Sequence, residues 1–276
     1  MTPDPTPPPI VIEDDGRICV ARFSQRDWVC PACRGRGGLV VPDEHGYEVF
    51  NSCACTGARR RIELFNAARI GRRYRDATLE SYRPGNARQA RAKQMAEDFT
   101  LMYPAVKRGL TFVGPVGTGK THLVLGMFRK LTLEKGVPCL FVDYSHLVKD
   151  LRRSYETGEG ETGHVVPLFA VEVLLIDELG RGQRTEWELT VLDDLISRRY
   201  NAGKITLCTT NFSIGGDRGA AVRKVLNAAH EARKARSATA HATQSLQDRM
   251  DERIFSRLSE MCEFVEVDGE DYRRRQ

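Results

Sequence analysis

The sequence lacks any apolar run long enough to span a bilayer. Its opening stretch, Met1 to Asp15, holds prolines and acids but neither the basic start nor the apolar core of an export leader. These absences argue against a membrane-spanning helix and lead us to expect a cytoplasmic protein with no membrane partner, in which residues 1–16 form a disordered tail. There is also no repeat at solenoid spacing, which excludes a stacked-repeat architecture. The 276 residues suffice for one α/β domain of ordinary size plus a small module, with a core that needs no disulfide support. Net charge is modest, +5, but unevenly placed: Arg59, Arg60, Arg61, Arg69, Arg72, Arg73 and Arg75 crowd one segment. An anionic partner and a solvated helix face both account for that cluster.

Eight cysteines in a chain without an export leader point away from disulfides, because the cytosol keeps thiols reduced. Four fall in two close pairs, Cys30-Pro-Ala-Cys33 and Cys53-Ala-Cys55, a set suited to tetrahedral zinc. The glycines after the first pair, in Arg34-Gly35-Arg36-Gly37-Gly38, allow a tight knuckle whose backbone N–H groups point at sulfur. Residues 17–57 therefore read as a small zinc-binding module that draws folding energy from the metal. The rival is a redox dithiol, for which the thioredoxin-like βαβ setting is missing. His45 is an alternative ligand or a loop residue, and Cys19, Cys139, Cys208 and Cys262 read as buried structural residues.

Residues 58–104 turn helical and basic, a connector broken at Arg83-Pro84-Gly85-Asn86 and resumed by a helix from Ala87 to Met102. Residues 105–276 alternate short apolar runs with helical stretches, the pattern of a parallel sheet with crossover helices. The expected strands are Leu110 to Val113, Cys139 to Val142, Val171 to Ile176, Ile205 to Thr210 and Phe264 to Val267. Ile214 to Asp248 carries no assignable motif, although Ala220 to Arg236 could form an exposed helix.

The run Gly114-Pro115-Val116-Gly117-Thr118-Gly119-Lys120-Thr121 fits a phosphate loop, and it lies after an apolar strand and before a helical run, as that loop requires. Glycines let the backbone wrap phosphates with N–H groups inward; Lys120 reaches the terminal phosphates of ATP and Thr121 gives a hydroxyl to Mg2+. The buried run Val171 to Gly180 ends in two acids: Asp177, placed to hold magnesium, and Glu178, placed to activate the attacking water. A third strand ends in Thr209, Thr210 and Asn211, and Asn211 could hold that water or report on the terminal phosphate.

These strand ends, in this order, resemble the AAA+ ATPases, with Walker A at Gly114 to Thr121, Walker B at Leu174 to Glu178 and sensor 1 at Asn211. More narrowly the chain resembles the DnaC/DnaI-type replicative helicase loaders and the related IstB transposition helpers. RYRDATLESY, IDELG followed by TEWE, RRY at Arg198 to Tyr200, TTNF and ERIFSRLSEMCEFVEVDGEDYRR carry that likeness. The resemblance implies a five-stranded AAA+ sheet with flanking helices and no carboxyl-terminal lid, hence weaker nucleotide contact. It further implies an arginine finger at Arg257, with Arg253 as the alternative, reaching the ATP of a neighbouring subunit, so that the ATP-bound chain forms a homo-oligomer. Lys149, Arg152 and Arg153 fall where these loaders carry a helix that engages single-stranded DNA, with Tyr155 available for stacking; an ordinary crossover helix with a solvated basic face is the other reading. The implied function is an ATPase that binds the replicative DNA helicase and helps place it on single-stranded DNA. An IstB-like transposition helper and a zinc-dependent nucleic-acid-binding regulator are the alternatives, and the zinc module serves either helicase or nucleic acid.

Overall fold

The computed structural model describes residues 6–157, 166–214 and 245–274. The chain divides into two compact units.

The first unit comprises residues up to Ala77 together with Phe128–Cys139. It opens with a hairpin of β1 (Ile10–Asp14) and β2 (Cys19–Phe23), paired antiparallel from Ile10 with Phe23 to Asp14 with Cys19. The tail expected over residues 1–16 is therefore corrected: residues 10–14 are a strand. Asp15 closes the turn by accepting the N–H groups of Arg17 and Ile18 at 2.9 and 2.8 Å, while Gly16 takes a φ of +93° that favours glycine. Along β2 burial alternates, and Cys19, Ala21 and Phe23 face inward. Asn66 holds Ala21 by both backbone groups, at 2.7 and 3.0 Å.

A second hairpin, β3 (Gly38–Pro42) with β4 (Glu48–Ser52), separates the two cysteine pairs. Its turn is closed by Asp43, whose carboxylate accepts the N–H groups of His45 and Tyr47 at 2.8 and 2.9 Å. Helix α1 (Ala54–Ala67) follows at once, and Phe65 on it packs on Phe128 with ring centroids 5.7 Å apart.

The second unit holds Thr78–Met127 and Leu140–Gln276. Helix α2 (Ala87–Met102) spans the expected residues because Asn86 caps it, accepting the Gln89 N–H at 2.9 Å, and because Ala92, Ala96 and Phe99 form a buried stripe. Five strands follow: β5 (Gly109–Val113), β6 (Cys139–Asp143), β7 (Val173–Asp177), β8 (Ile205–Thr210) and β9 (Cys262–Glu266), in the order β6-β7-β8-β5-β9. They form a five-stranded parallel sheet. Every residue of β5 and β7 is buried, which is why these strands read as unbroken apolar runs rather than as alternations.

Helices α3 (Lys120–Arg129), α4 (Tyr144–Thr157), α5 (Val166–Ala170), α6 (Glu186–Asn201), α7 (Leu246–Arg249) and α8 (Glu252–Met261) alternate with these strands. Thr185 caps α6, with Glu186 and Glu188 in its first turn and Arg198 and Arg199 in its last, matching the helix dipole. Leu174 and Ile176 of β7 meet Leu192, Leu195 and Ile196 of α6 and Ile254 and Leu258 of α8 in one core.

β5 and β6 each gain one residue over the expected ranges, Gly109 and Asp143, and two strands shift further for identifiable reasons. β7 begins at Val173 rather than Val171 because the Val171 carbonyl accepts the guanidinium of fully buried Arg199 at 3.0 Å. β9 begins at Cys262 rather than Phe264, in register with Gly109; a Cβ at Gly109 would meet the Thr206 carbonyl at 1.7 Å.

Candidate nucleotide site and cysteine cluster

Strand β5 delivers the chain into Gly114–Thr121 at the carboxyl edge of the sheet, and α3 begins at Lys120. The loop is held from outside. Tyr82 donates its hydroxyl to the Thr118 carbonyl at 3.1 Å, and the Tyr272 N–H donates to the Gly117 carbonyl at 3.1 Å. Gly117 and Gly119 take φ of +83° and +90°, which favours glycine at both, and a Cβ on Gly119 would also lie 2.5 Å from the Tyr82 ring. Lys120 is 6% exposed and turns its ammonium onto the carbonyls of Gly114 and Pro115, at 2.8 and 2.6 Å. Burial pulls its pKa down to about 8, against the nearby charges of Asp177 and Glu178.

Asp177 ends β7 and is buried. One of its oxygens accepts two hydroxyls, from Thr121 at 2.9 Å and from Thr209 at 2.6 Å. Burial raises the Asp177 pKa, and those two donors oppose the rise. Thr209 also accepts the Glu178 N–H at 2.9 Å, so one hydroxyl fixes both acids. Glu178 sits at a φ of +56°, uncommon outside glycine, and its carboxylate pairs with Arg181. Asn211 leaves β8, the strand between β7 and β5, half-buried and, among the described residues, without a side-chain hydrogen bond. The fold thus gathers the loop, Asp177, Glu178 and Asn211 at the ends of three adjacent strands.

Arg257 and Arg253 lie elsewhere, on α8. Arg257 donates to Asp193 at 3.0 Å and to Ser197 at 2.7 Å, both on α6, and Arg253 pairs with the same Asp193. Both arginines border a cavity of about 550 Å³ together with Tyr200, Asp251, Ser256 and Glu260. Lys149, Arg152 and Arg153 are exposed on one face of α4, and the Arg152 guanidinium lies 5.2 Å from the Trp187 ring centre. The Tyr155 side chain and residues 215–244, including the helix expected over Ala220 to Arg236, lie outside the described residues.

In the first unit, Cys30, Cys33, Cys53 and Cys55 are buried with all four sulfurs within 4.8 Å of one another. Cys30 lies 3.6 Å from Cys53 and Cys33 lies 3.5 Å from Cys55, sulfur to sulfur. A tetrahedron with zinc–sulfur bonds near 2.3 Å has edges of about 3.8 Å, so the donor set and its dimensions fit zinc. Burial works against the Cys33 thiolate, but N–H groups of Gly37 and Gly35 and the thiols of Cys55 and Cys30 donate to it and bring its pKa to about 6. That is the knuckle the glycines foreshadow. His45 is exposed and outside the cluster, while Cys19, Cys139, Cys208 and Cys262 are buried apart from it.

Sequence reasoning assigned no role to Tyr82 or Tyr272, or to Thr209 beyond its place at a strand end. The first two lie within RYRDATLESY and the closing run, which marked them as part of a pattern without saying what they touch.

A family model described as IstB-like ATP binding protein matches residues 43–229, more than half of the chain. Among curated proteins, the chain is 25% identical over 198 residues to the phage-like element PBSX protein XkdC of Bacillus subtilis (strain 168), covering 68% of this chain and 73% of that one. It is 24% identical over 155 residues to the replicative helicase loader DnaC of Escherichia coli (strain K12), covering 56% of this chain and 63% of the loader, less than two thirds of its length. Among solved structures, that of the DnaC helicase loader superimposes with a TM-score of 0.58 at 28% identity, covering 71% of this chain and 99% of that one. With its phosphate loop, acid-tipped β7 and five-stranded sheet, the chain belongs to the family of IstB-like ATP binding proteins.

Proposed function

We propose that the chain is an ATP-hydrolysing helicase loader: it binds the replicative DNA helicase and helps place it on single-stranded DNA, and hydrolysis releases it. The observation that carries the ATPase part is the convergence of Thr121 and Asp177 at 2.9 Å beside buried Lys120, with Glu178 next in the chain. Likeness to the DnaC helicase loader over 99% of its solved chain supports the partner.

Backbone N–H groups from Val116 through Thr121 receive the phosphates, and Lys120 exchanges its carbonyl contacts for the terminal phosphate oxygens. Magnesium, held by Thr121 and Asp177, would neutralise charge on those oxygens. Glu178 takes a proton from water as the water oxygen bonds to the terminal phosphorus; the bond to the bridging oxygen breaks and its electron pair leaves with ADP. For this Glu178 must part from Arg181, an exposed partner whose pairing is worth little in water. Asn211 orients the water. Arg257 enters the site of a neighbouring copy and steadies the charge on the moving phosphoryl group, which makes turnover depend on assembly. The exposed face of Lys149, Arg152 and Arg153 contacts phosphates of single-stranded DNA. Zinc held by Cys30, Cys33, Cys53 and Cys55 would stabilise the amino-terminal module.

The test is co-elution of the purified chain with a replicative helicase in ATP and in ADP, beside ATP hydrolysis with and without single-stranded DNA. We expect a complex in ATP that dissolves on hydrolysis, and turnover lost in Glu178→Gln. Wild-type turnover equal to that of Glu178→Gln would end the mechanism. The matching family model favours a second reading, a transposition helper; binding to a transposase with no binding to helicase would establish it instead.

A further inference from the structure

The residues after β9 fold back onto the phosphate loop. Asp268 offers its carbonyl to Asn86 at 3.0 Å and to Gln89 at 2.8 Å, and its carboxylate to Arg88 at 2.8 Å. The chain turns at Gly269, φ +131°, and returns to the phosphate loop. There the Asp271 carboxylate packs against Gly117, and the Tyr272 N–H holds the Gly117 carbonyl at 3.1 Å. The Tyr272 hydroxyl reaches Gln89 at 2.9 Å and the Arg83 carbonyl, and its ring lies 6.1 Å from that of Tyr82. Asp271 accepts the Arg273 N–H at 3.0 Å, fixing the next residue of the turn.

From this placement we infer that residues 271–273 form a third wall of the phosphate site: Tyr272 fixes the loop, and Arg273 offers its guanidinium to the terminal phosphates bound in the same subunit. Three features support it. Arg273 follows directly on the residue bonded to Gly117, so its backbone is held beside the loop. Its side chain is exposed and able to swing. Its guanidinium lies near enough to Lys120 for its charge to act on that ammonium, so two cations converge on one place that a polyanion would relieve. The carboxylate of Asp271, which lies against the loop, is engaged by the Arg273 N–H. Arg273 thus acts in cis, distinct from Arg257, which is bonded to α6.

The inference rests on the ATP-binding reading, and nucleotide binding by the full chain separates the two. Binding of fluorescent ATP and ADP analogues with magnesium is measured for wild type, Arg273→Ala and Arg273→Lys, with thermal unfolding of each nucleotide-free chain. We expect Arg273→Ala to weaken ATP at least about tenfold and ADP by less, at unchanged unfolding temperature, with Arg273→Lys recovering part of the loss. ATP affinity within about twofold of wild type overturns the role of Arg273 and leaves the ATP-binding reading intact. Equal losses for ATP and ADP with a lowered unfolding temperature mark a purely structural turn and overturn it as well. A wild-type chain that binds neither nucleotide defeats both readings.

Discussion

Thr209 gives its hydroxyl proton to Asp177 at 2.6 Å and takes the N–H of Glu178 at 2.9 Å, so a neutral side chain on β8 sets the geometry of both acids on β7. Thr209→Val keeps the shape but leaves the half-buried Glu178 N–H without its Thr209 acceptor and Asp177 with one donor fewer. We expect a stability loss of about 1–3 kcal/mol and a weaker response of turnover to magnesium. Denaturant unfolding and a magnesium titration of hydrolysis check it. Thr209→Ser, which keeps the hydroxyl, should recover most of both; a valine variant as stable and active as wild type would remove Thr209 from the site.

Lys120 gives the site a pH dependence of defined sign. Its pKa in the folded chain, about 8, lies below the ordinary 10.5 because burial disfavours the ammonium. The folded chain therefore loses this proton before the unfolded chain does. Below pH 8 the cost of the buried charge is fully present, and between pH 8 and 10.5 this group's contribution to stability improves as pH rises. ATP needs the ammonium, so its affinity runs the other way: flat below the pKa and about tenfold weaker at pH 9 than at pH 7. Calorimetric titrations across that range test it. Lys120→Ala should bind weakly and lose the pH dependence, and a persisting slope in that variant would assign it to another group.

What the sequence made legible and what it did not divide along physical lines. The loop, the two acids and all five strands were readable because local chemistry dictates them: glycine at positive φ, apolar runs buried on both faces, Lys120 opening a helix. Contacts between residues far apart in the chain were not. Nothing in the neighbourhood of Tyr272 says that its N–H meets Gly117, and nothing around Arg199 says that it is wholly buried and bonded to the carbonyls of Leu168, Val171 and Ile205. The hairpin of β3 and β4 escaped a reading based on burial because its apolar side chains stay outside; Val40 is 59% and Phe50 63% exposed. Residues 10–14 escaped because the prolines before them dominate the composition.

The cysteine cluster predicts one zinc per chain. Four buried sulfurs within 4.8 Å of one another leave a polar, turn-rich segment with little else to hold it. Metal analysis of the purified chain should give a one-to-one ratio, and Cys30→Ser or Cys55→Ser should release the metal and expose the first unit to proteolysis. The loop and its acids belong to the other unit, so these variants are expected to keep ATP affinity. Full retention of structure in a metal-free chain with four free thiols would reject zinc and return the redox dithiol to consideration.

Arg257 predicts that hydrolysis belongs to an interface. Its partners, Asp193 at 3.0 Å and Ser197 at 2.7 Å, hold it against α6, and this pair, only 28% and 21% exposed, opens when Arg257 reaches a neighbour. Arg257→Ala should cut turnover by a factor of about 10³ or more while leaving ATP affinity unchanged. Glu178→Gln should be inactive for a different reason, with its arginine intact. Mixing the two restores a site with its own Glu178 facing a neighbour with Arg257. Random order in a head-to-tail assembly then returns about a quarter of the wild-type rate per subunit. If the mixture stays as inactive as its components, Arg257 does not act across subunits. Repeating the mixture with Arg253→Ala in place of Arg257→Ala decides between the two arginines, because only the variant lacking the working cation needs the partner's.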